Sequence, residues 1–512
     1  MSDWYASSVA WAAIPQWAAS TAYSVGQIIR PLAAPAAGRE YAFRCTTAGT
    51  SGTTEPGWNT GNNSTTLSGS ATFTNVTGQS AYGWSAAAGT LYVFTANTGT
   101  RAVAGDRVFV SSDSVDSFSA NLNYGFGNSG FGLVQVLSVN RAGSVPPVAA
   151  DSQAGATITL TLTGTNSLVL DTIVNTYWEG FSFTVSGSPT TTNIYLANIG
   201  SKSAYFKNCT FNLNGTTTSR LMTTSSAKVT FDNTTVQFNS TSASFIGCAS
   251  TLFDLTWVNT PSAVGGSTPP TTLFTLNTGV NTITCRGVDL SAVTGTLVAA
   301  NPAVSPVSKV LFDSCKIAAA VTRYGTPAAA TCAADEVELV NCWDGSNVLN
   351  ERYTPAGAVT TDRSATLANG AVDDIGNYSL KLVSSVRSDF ASMPLPCFTL
   401  DVENTAVGAS KTATVELISS GSLNNTDIRL SLEYMGSSGN PMANFVDSLS
   451  SILAAASALP ASSNTWNNPP ATPQKQLLQV AFTPQRAGRV RGLIRLGKAS
   501  TTVWVNPQLS IV

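Results

Sequence analysis

The stretch FKNCTF at 206–211 is followed 25 residues later by FDNTTV at 231–236, and related segments recur through the middle of the chain. The other segments that can be laid over these two are FSFTV at 181–185, FDLTWV at 253–258, ITCRGV at 283–288, FDSCKI at 312–317 and LVNCWD at 339–344. Their first residues lie 22 to 30 positions apart. A strand-sized unit repeated at such a period is the signature of a solenoid.

Apolar and polar residues alternate within each unit, which predicts a strand with one buried face. The small polar residue beside the strand fits a bend, because Asn and Asp tolerate left-handed backbone angles. Cys209, Thr234 and Cys315 hold matching places, so we expect them to stack inside successive coils. Helical patterns are absent from the units. A right-handed parallel β-helix of six or seven coils, roughly 30 Å long, is therefore predicted, with a large β-sandwich as the alternative.

The low content of charged residues and the absence of histidine exclude several classes of function. Only 11% of the 512 residues are charged, the formal net charge is −2 and there is no histidine. Catalysis by Ser-His-Asp or Cys-His and zinc sites that use histidine are thereby excluded. The few Lys and Arg are scattered, which argues against nucleic acid as a partner, and no run approaches the roughly 20 apolar residues of a membrane span. We expect no cofactor, no metal and no signal peptide.

The eight cysteines include no CxxC pair, which excludes a zinc ribbon or a thioredoxin-like motif. Without a secretion signal, most are expected to be free, buried thiols. They are Cys45, Cys209, Cys248, Cys285, Cys315, Cys332, Cys342 and Cys397.

Four regions are predicted for this all-β chain. Residues 1–85 form a small aromatic β-module, 86–150 a β-rich connecting region, 151–353 the parallel β-helix and 354–512 a jelly-roll-like β-sandwich of seven or eight strands. Whether 86–150 belongs with the first module or with the coils is open. FVDSLSSILAAASAL at 445–459 is the one segment that predicts a helix.

The strings WAASTAYSVGQ at 17–27 and YAFRCTTAGTSGTTEPGW at 41–58 resemble the aromatic β-modules near the termini of tailed-bacteriophage virion proteins. Those modules in turn resemble chitin-binding-type carbohydrate modules, which implies a glycan platform. Its candidate residues are Trp17, Tyr23, Tyr41 and Trp58. The same rings could instead form the core of a module with few large aliphatic residues. Phe73 stands where that family has its terminal tryptophan.

The order YSLKL, FTP, GRVR and VWVNPQLSIV after residue 377 resembles the sandwich that closes many phage β-helix proteins. Where that family usually has Asp before the final Pro, this chain has Asn506, which weakens any cation-binding role. The resemblance implies a homotrimer, because β-helices in phage appendages are usually trimeric.

An enzyme that cleaves a surface polysaccharide would need a pair of carboxylates. We expect Asp232, Asp254 and Asp313 to fall at corresponding points of their repeats, which makes them the candidates on one face. Each also lies at the recurring bend, where Asp commonly hydrogen-bonds the backbone, and this role is favoured. We predict no enzymatic activity, with a glycan depolymerase as the alternative.

Together the resemblances and the repeat imply a structural protein on the surface of a tailed-phage virion, made in the host cytoplasm. The leading hypothesis is a head decoration or cement protein that contacts the major capsid protein. The alternative is a tail spike or fibre attached to tail or collar proteins, which binds host surface glycan with or without cleaving it.

Overall fold

The computed structural model describes residues 2–33, 40–95, 102–119, 122–127, 132–163, 167–170, 174–188, 192–197, 202–214, 219–223, 227–239, 247–248, 252–276, 280–299, 308–325, 336–346, 348–354, 357–362, 379–384, 391–402, 408–419, 428–434, 452–456, 476–483, 488–496, 502–505 and 510–511. The chain divides into two compact units. The first contains residues 1–326 and 342–347, and the second contains 327–341 and 348–512.

The first unit contains a parallel β-helix with three sheets, called faces 1, 2 and 3. Face 1 consists of Asp3–Ala6, Arg107–Ser111, Leu133–Val139, Asn175–Glu179, Lys202–Lys207, Ala227–Asp232, Leu252–Val258, Val280–Arg286 and Lys309–Asp313. Face 2 consists of Val115–Phe118, Ala156–Thr163, Phe181–Ser188, Thr210–Leu213, Thr235–Phe238 and Val264–Gly265. Face 3 consists of Leu122–Asn123, Ser167–Val169, Thr192–Ala197, Ser219–Thr223, Gly247–Cys248, Thr272–Thr275, Thr296–Ala299 and Thr322–Gly325.

Successive strands of each face pair in parallel, which confirms the predicted parallel β-helix. The pairing reaches upstream of residue 151. Arg107–Ser111 pairs with Leu133–Val139 on face 1, and Val115–Phe118 pairs with Ala156–Thr163 on face 2. The strands Arg107–Ser111, Val115–Phe118, Leu122–Asn123 and Leu133–Val139 therefore pair with strands of the coils.

A left-handed residue follows the face 1 strand in most coils, as the sequence predicted for the small polar position. Those with positive φ are Asn208, Asn233, Asn259 and Ser314, at φ between 48° and 54°, and Asn341 has a φ of 52° within the strand Glu336–Trp343. Gly180 and Gly287 occupy the same bend in two other coils, with φ of 80° and 60°. The next residue turns inward, and Cys209, Thr234 and Cys315 are buried there as expected. The amide Nδ2 of Asn233 donates to Asn208 Oδ1 at 2.7 Å, which links neighbouring bends.

The strand register corrects part of the sequence alignment. Phe231 pairs with Trp257 rather than with Phe253, so FDLTWV lies four residues out of place. Cys285, not Ile283, is the partner of Trp257, and Phe181 begins a strand of face 2. In the true register the residue two places before the left-handed residue is aromatic in some coils and Cys285 in another, so alignment on Phe was misleading.

Buried side chains fill the inside of the coils. One continuous column on face 1 comprises Trp178, Phe206, Phe231, Trp257, Cys285 and Phe312. Free and buried thiols are confirmed for Cys45, Cys209, Cys285 and Cys315, and Cys342 is buried and not in a disulfide. Cys332 and the side chains of Cys248 and Cys397 lie outside the described residues.

Residues before the coils form short antiparallel sheets. Their strands are Ala22–Tyr23 with Gly49–Thr50, and Ile28–Ile29, Phe43–Thr47, Ala71–Asn75 and Thr65–Ser68. The described residues of the first unit contain an α-helix at Ser8–Ala13 and 3₁₀-helices at Ser80–Ala86, Leu91–Phe94 and Ala149–Asp151. Ser7 caps the α-helix by accepting a hydrogen bond from the backbone N–H of Ala10 at 3.0 Å.

The second unit contains two antiparallel sheets after Glu336–Trp343, the strand that spans both units. One consists of Val348–Thr354, Gly357–Asp362, Ser379–Ser384, Thr502–Val505, Lys411–Ser419, Gln476–Phe482 and Ser510–Ile511. The other consists of Ala391–Val402, Gly488–Leu496, Ile428–Tyr434 and Ile452–Ala456. The jelly-roll arrangement of these strands stays a prediction.

The helix predicted at 445–459 is wrong where it can be compared. Ile452–Ala456 is a strand, paired antiparallel with Ile428–Tyr434, and the rest of the segment lies outside the described residues. Ala and Leu are among the strongest helix formers, but intrinsic propensity is a small contribution that tertiary strand pairing overrides here. In the described part of the chain, no helix has the length and apolar character needed to cross a membrane.

Candidate functional site

Outward side chains on face 1 form columns, because alternate residues of each strand point away from the core. The column that ends the strands is Glu179, Lys207, Asp232, Val258, Arg286 and Asp313. The middle column is Tyr177, Tyr205, Thr230, Thr256, Thr284 and Leu311. Two large aromatic residues thus lie at surface positions that the other coils fill with smaller side chains.

Tyr177 and Tyr205 stack on each other, with ring centroids 5.3 Å apart and planes 18° from parallel. Both side chains are half-buried. Each hydroxyl donates to a carboxylate of the neighbouring column. The Tyr177 hydroxyl bonds Glu179 Oε2 at 2.8 Å, and the Tyr205 hydroxyl bonds Asp232 Oδ2 at 2.7 Å.

Lys207 lies between the two carboxylates in the same column. Its Nζ is 3.7 Å from Glu179 Oε1, with the lysine side chain 41% exposed and the glutamate 17% exposed. The other oxygen of Asp232 accepts from Asn259 Nδ2 at 3.0 Å. We call Tyr177, Glu179, Tyr205, Lys207 and Asp232 the tyrosine–carboxylate patch. It presents stacked rings, two fixed carboxylates and one cation on a single outer surface.

The tyrosine hydroxyls in the patch are held in the protonated form. Burial, followed by the hydrogen bond to Asp232, raises the pKa of Tyr205 to about 12. Burial and the hydrogen bond to Glu179 raise the pKa of Tyr177 further. A protonated phenol donates its hydrogen bond to the carboxylate, so both acids keep their orientation across the neutral pH range.

The strand register separates the three aspartates suggested by the sequence. Asp232 and Asp313 share a column but are three strands apart, which is about 14 Å. Asp254 is the register partner of Lys228, near the start of the strand Leu252–Val258. Lys228 precedes Asp232 by four residues, so Asp254 lies about 13 Å from Asp232 along the strand direction. The prediction that the three hold corresponding points is wrong for Asp254, because its repeat was misaligned by four residues.

Neighbouring side chains engage the aspartates outside the patch. Arg286 Nε is 2.8 Å from Asp313 Oδ2, and Ser314 Oγ donates to the other oxygen at 2.9 Å. Lys228 Nζ is 4.0 Å from Asp254 Oδ2, with the lysine side chain 76% exposed. Exposed ion pairs of this kind contribute little to stability.

The aromatic residues proposed as a glycan platform lie mainly in the core of the N-terminal region. Trp17, Tyr23 and Tyr41 are buried, at 3%, 8% and 0% exposure. Trp58 is half-buried and packs on Phe43, with ring centroids 4.3 Å apart. Buried ring faces are not available to a sugar, so this placement favours the core interpretation of these residues.

Face 2 carries an uncharged outer surface. Paired outward residues are Thr157, Ser182, Thr210 and Thr235 in one column, and Thr159, Thr184, Asn212 and Gln237 in the next. Asn212 Nδ2 donates to Ser182 Oγ at 2.9 Å and to Thr184 Oγ1 at 3.0 Å. This surface offers hydroxyl and amide groups without charge, in contrast to face 1.

Comparisons with known proteins give structural similarities only. The chain is similar to the tailspike protein 4 enzymatically active domain of bacteriophage CBA120, with 10% identity, a TM-score of 0.18, and coverage of 98% of this chain and 77% of that one. It is also similar to the tailspike protein of Acinetobacter phage vB_ApiP_P1, with 11% identity, a TM-score of 0.28, and coverage of 98% and 99%. No family model and no curated protein matches the sequence.

The sequence interpretation missed Tyr177, Glu179, Tyr205 and Lys207. The signal was present in NTYWE at 175–179 and SAYFK at 203–207, where a tyrosine precedes the buried aromatic residue in both strands. The two tyrosines are 28 residues apart, within the range of the repeat. Aligning the coils on the buried aromatic residue would have brought them into one column.

Proposed function

We propose that this protein is a tail spike of a phage and binds a host surface glycan through the tyrosine–carboxylate patch. The observation that carries the proposal is the stacked pair Tyr177 and Tyr205, half-exposed on the outer face and hydrogen-bonded to Glu179 and Asp232. Aromatic rings pack on the apolar faces of sugars, and carboxylates accept strong hydrogen bonds from hydroxyl groups.

Replacement of the patch tyrosines tests the proposed site. We expect Tyr205→Ala to weaken binding to polysaccharide purified from the host surface by about tenfold to a hundredfold, since a stacking contact and an oriented carboxylate are lost together. Titration calorimetry of the full chain with that polysaccharide measures the affinity. Tyr177→Ala is expected to act in the same direction.

Thr256→Ala is the matched control, because Thr256 lies in the same column two coils further along. It should leave the affinity unchanged. Equal affinity of Tyr205→Ala and the unchanged protein would remove the patch as the binding site. A Tyr205→Phe variant separates the contributions, since it keeps the ring and loses only the bond to Asp232.

Cleavage of the glycan is the second candidate function. Glu179 and Asp232 are two strands apart in one column, about 10 Å. Inverting glycosidases hold their carboxylates about 6.5–9.5 Å apart, so the spacing of this pair lies just beyond that range. New reducing ends produced by the unchanged protein but not by Glu179→Gln would favour a depolymerase over a binding protein.

Location on the virion distinguishes a tail spike from a head decoration protein. The structure adds no support to the capsid hypothesis, and we therefore propose attachment to tail or collar proteins. Gold-labelled antibodies on intact virions, viewed by electron microscopy, should mark the tail tip or collar. Label spread over the head would contradict the proposal and favour contact with the major capsid protein. The homotrimer is part of the proposal and rests on the resemblance alone.

A further inference from the structure

A carboxyl group is buried inside the first coil. Asp116 lies on the first strand of face 2, Val115–Phe118, and is only 2% exposed. Its Oδ2 accepts a hydrogen bond from the backbone N–H of Leu91 at 2.8 Å. Among the described residues its Oδ1 has no hydrogen-bond partner and is also buried. An unsatisfied buried carboxylate oxygen is costly, so its presence requires an explanation.

A second carboxyl group faces the same segment of chain. The carbonyl oxygen of Glu40 accepts from the backbone N–H of Gly89 at 3.1 Å, and the Thr90 hydroxyl bonds the Glu40 carboxyl. The buried Oε2 of Glu40 has no partner in the described part of the chain. Residues 89–91 therefore contact one acid at each end, Glu40 on one side and Asp116 on the other.

The segment 89–94 covers the first coil. Tyr92 packs edge-on against Phe118 of face 2 and against Tyr124, which follows the first strand of face 3, with centroids 5.8 and 6.0 Å apart. Leu91 is buried with its neighbours in the 3₁₀-helix Leu91–Phe94. Apolar residues of the first coil would otherwise be exposed at this point, so the segment protects that end of the core.

No base balances the two acids in the described structure. Neither Glu40 nor Asp116 forms an ion pair with a Lys or Arg of the described residues. The other titratable groups around Asp116 are Tyr92 and Tyr124, and the buried hydroxyl of Tyr124 lies beside the Asp116 carboxyl group. Burial raises the pKa of Asp116 to about 8 and also raises the pKa of Glu40.

We propose that Asp116 and Glu40 form a proton-dependent clasp, which holds residues 89–94 against the first coil while Asp116 is protonated and releases them when it ionises. Only a proton moves, from the Asp116 carboxyl group to water or hydroxide. The clasp is a property of the N-terminal end of the β-helix. It does not depend on the tyrosine–carboxylate patch or on the proposed function.

The direction of the pH dependence follows from the raised pKa. Unfolded Asp titrates near pH 4, so between about pH 4 and pH 8 the folded chain retains a proton that the unfolded chain has lost. The stabilisation is full below pH 4, declines as the pH rises and is lost above about pH 8. Opening of the segment should therefore increase with pH and level off once Asp116 is ionised.

Hydrogen exchange of the full chain tests the clasp. After correction for intrinsic exchange, we expect the amides of 89–94 to open about tenfold more often for each pH unit as the pH approaches 8. In Asp116→Asn this dependence should vanish, because the amide keeps an acceptor for the Leu91 N–H and cannot ionise. Glu40→Gln should shift the transition to lower pH, since it removes a charge that opposes ionisation of Asp116.

Asp113→Asn is the control. Asp113 lies three residues before Asp116, but its side chain is exposed and forms an ion pair with Arg141. The variant should retain the transition of the unchanged chain. Identical pH profiles for Asp116→Asn and the unchanged chain would overturn the proposal. So would protection of 89–94 at pH 9 by millimolar Ca²⁺ in place of protons, which would indicate a cation site. If Asp116→Asn does not fold, the unchanged chain and Glu40→Gln still decide the question.

Discussion

Replacement of Trp178 or Trp257 by alanine should lower the free energy of unfolding by about 3–5 kcal/mol, the usual cost of emptying a buried tryptophan site. Trp178 is 1% exposed and contacts the rings of five aromatic residues, and Trp257 is fully buried against Phe231 at 5.5 Å. In a solenoid each coil contacts only its neighbours. The loss should therefore appear first in the adjacent coils, as faster exchange of their amides.

Phenylalanine at the same two positions should give different results. The indole N–H of Trp257 donates to the Thr234 carbonyl at 2.9 Å and to Thr260 Oγ1 at 3.1 Å, so Trp257→Phe should cost about 1–3 kcal/mol in lost hydrogen bonding. The buried indole N–H of Trp178 has no partner among the described residues. Trp178→Phe removes that unsatisfied donor and should stay within about 1 kcal/mol of the unchanged protein.

Denaturant unfolding followed by circular dichroism measures both pairs of variants under the same conditions. A larger loss for Trp178→Phe than for Trp257→Phe would show that ring volume, not hydrogen bonding, decides stability at these positions. Equal stability of the two alanine variants and the unchanged chain would contradict the column of packed side chains itself.

The fold was largely accessible from sequence because the repeat reflects one physical requirement in every coil. Each coil needs a strand, a left-handed bend and a small residue that turns inward, and Asn208 with Cys209 and Asn233 with Thr234 meet that requirement directly. In one coil Trp257 and Asn259 fill these positions, and the phenylalanine that marks the strand in other coils is absent. The alignment then shifted to Phe253, because several side chains can fill the same interior position.

The candidate site was harder to predict, because it depends on neighbouring columns rather than on a motif. Tyr177 contacts Tyr205 only when the coils are in register, and each tyrosine bonds an acid two residues away along its own strand or one coil further on. A four-residue error in one repeat is enough to misplace Asp254 relative to Asp232. Composition alone did not indicate the tyrosine–carboxylate patch, because an aromatic residue in a small core cannot be distinguished from one on a surface by residue type.

Replacement of Gly266 by alanine should destabilise the β-helix by several kcal/mol, about 1–3 from overpacking and about 1–3 from backbone strain. Gly266 has a φ of +98° and follows the last strand of face 2, Val264–Gly265. A Cβ there would overlap the carbonyl oxygen of Phe238 and lie 2.6 Å from its backbone nitrogen. Since Phe238 belongs to the preceding coil, relief of the overlap requires the two coils to separate.

Gly287 provides the control, because it also has a positive φ, of +60°, but a Cβ there would meet nothing within 4 Å. Gly287→Ala should therefore cost only the backbone strain, about 1–2 kcal/mol. Gly287→Asn should cost less than Gly287→Ala, since Asn208 and Asn233 adopt the same bend in other coils at φ of 52° and 48°. Equal losses of stability for Gly266→Ala and Gly287→Ala, measured by denaturant unfolding, would show that contact between coils does not limit the side chain at residue 266.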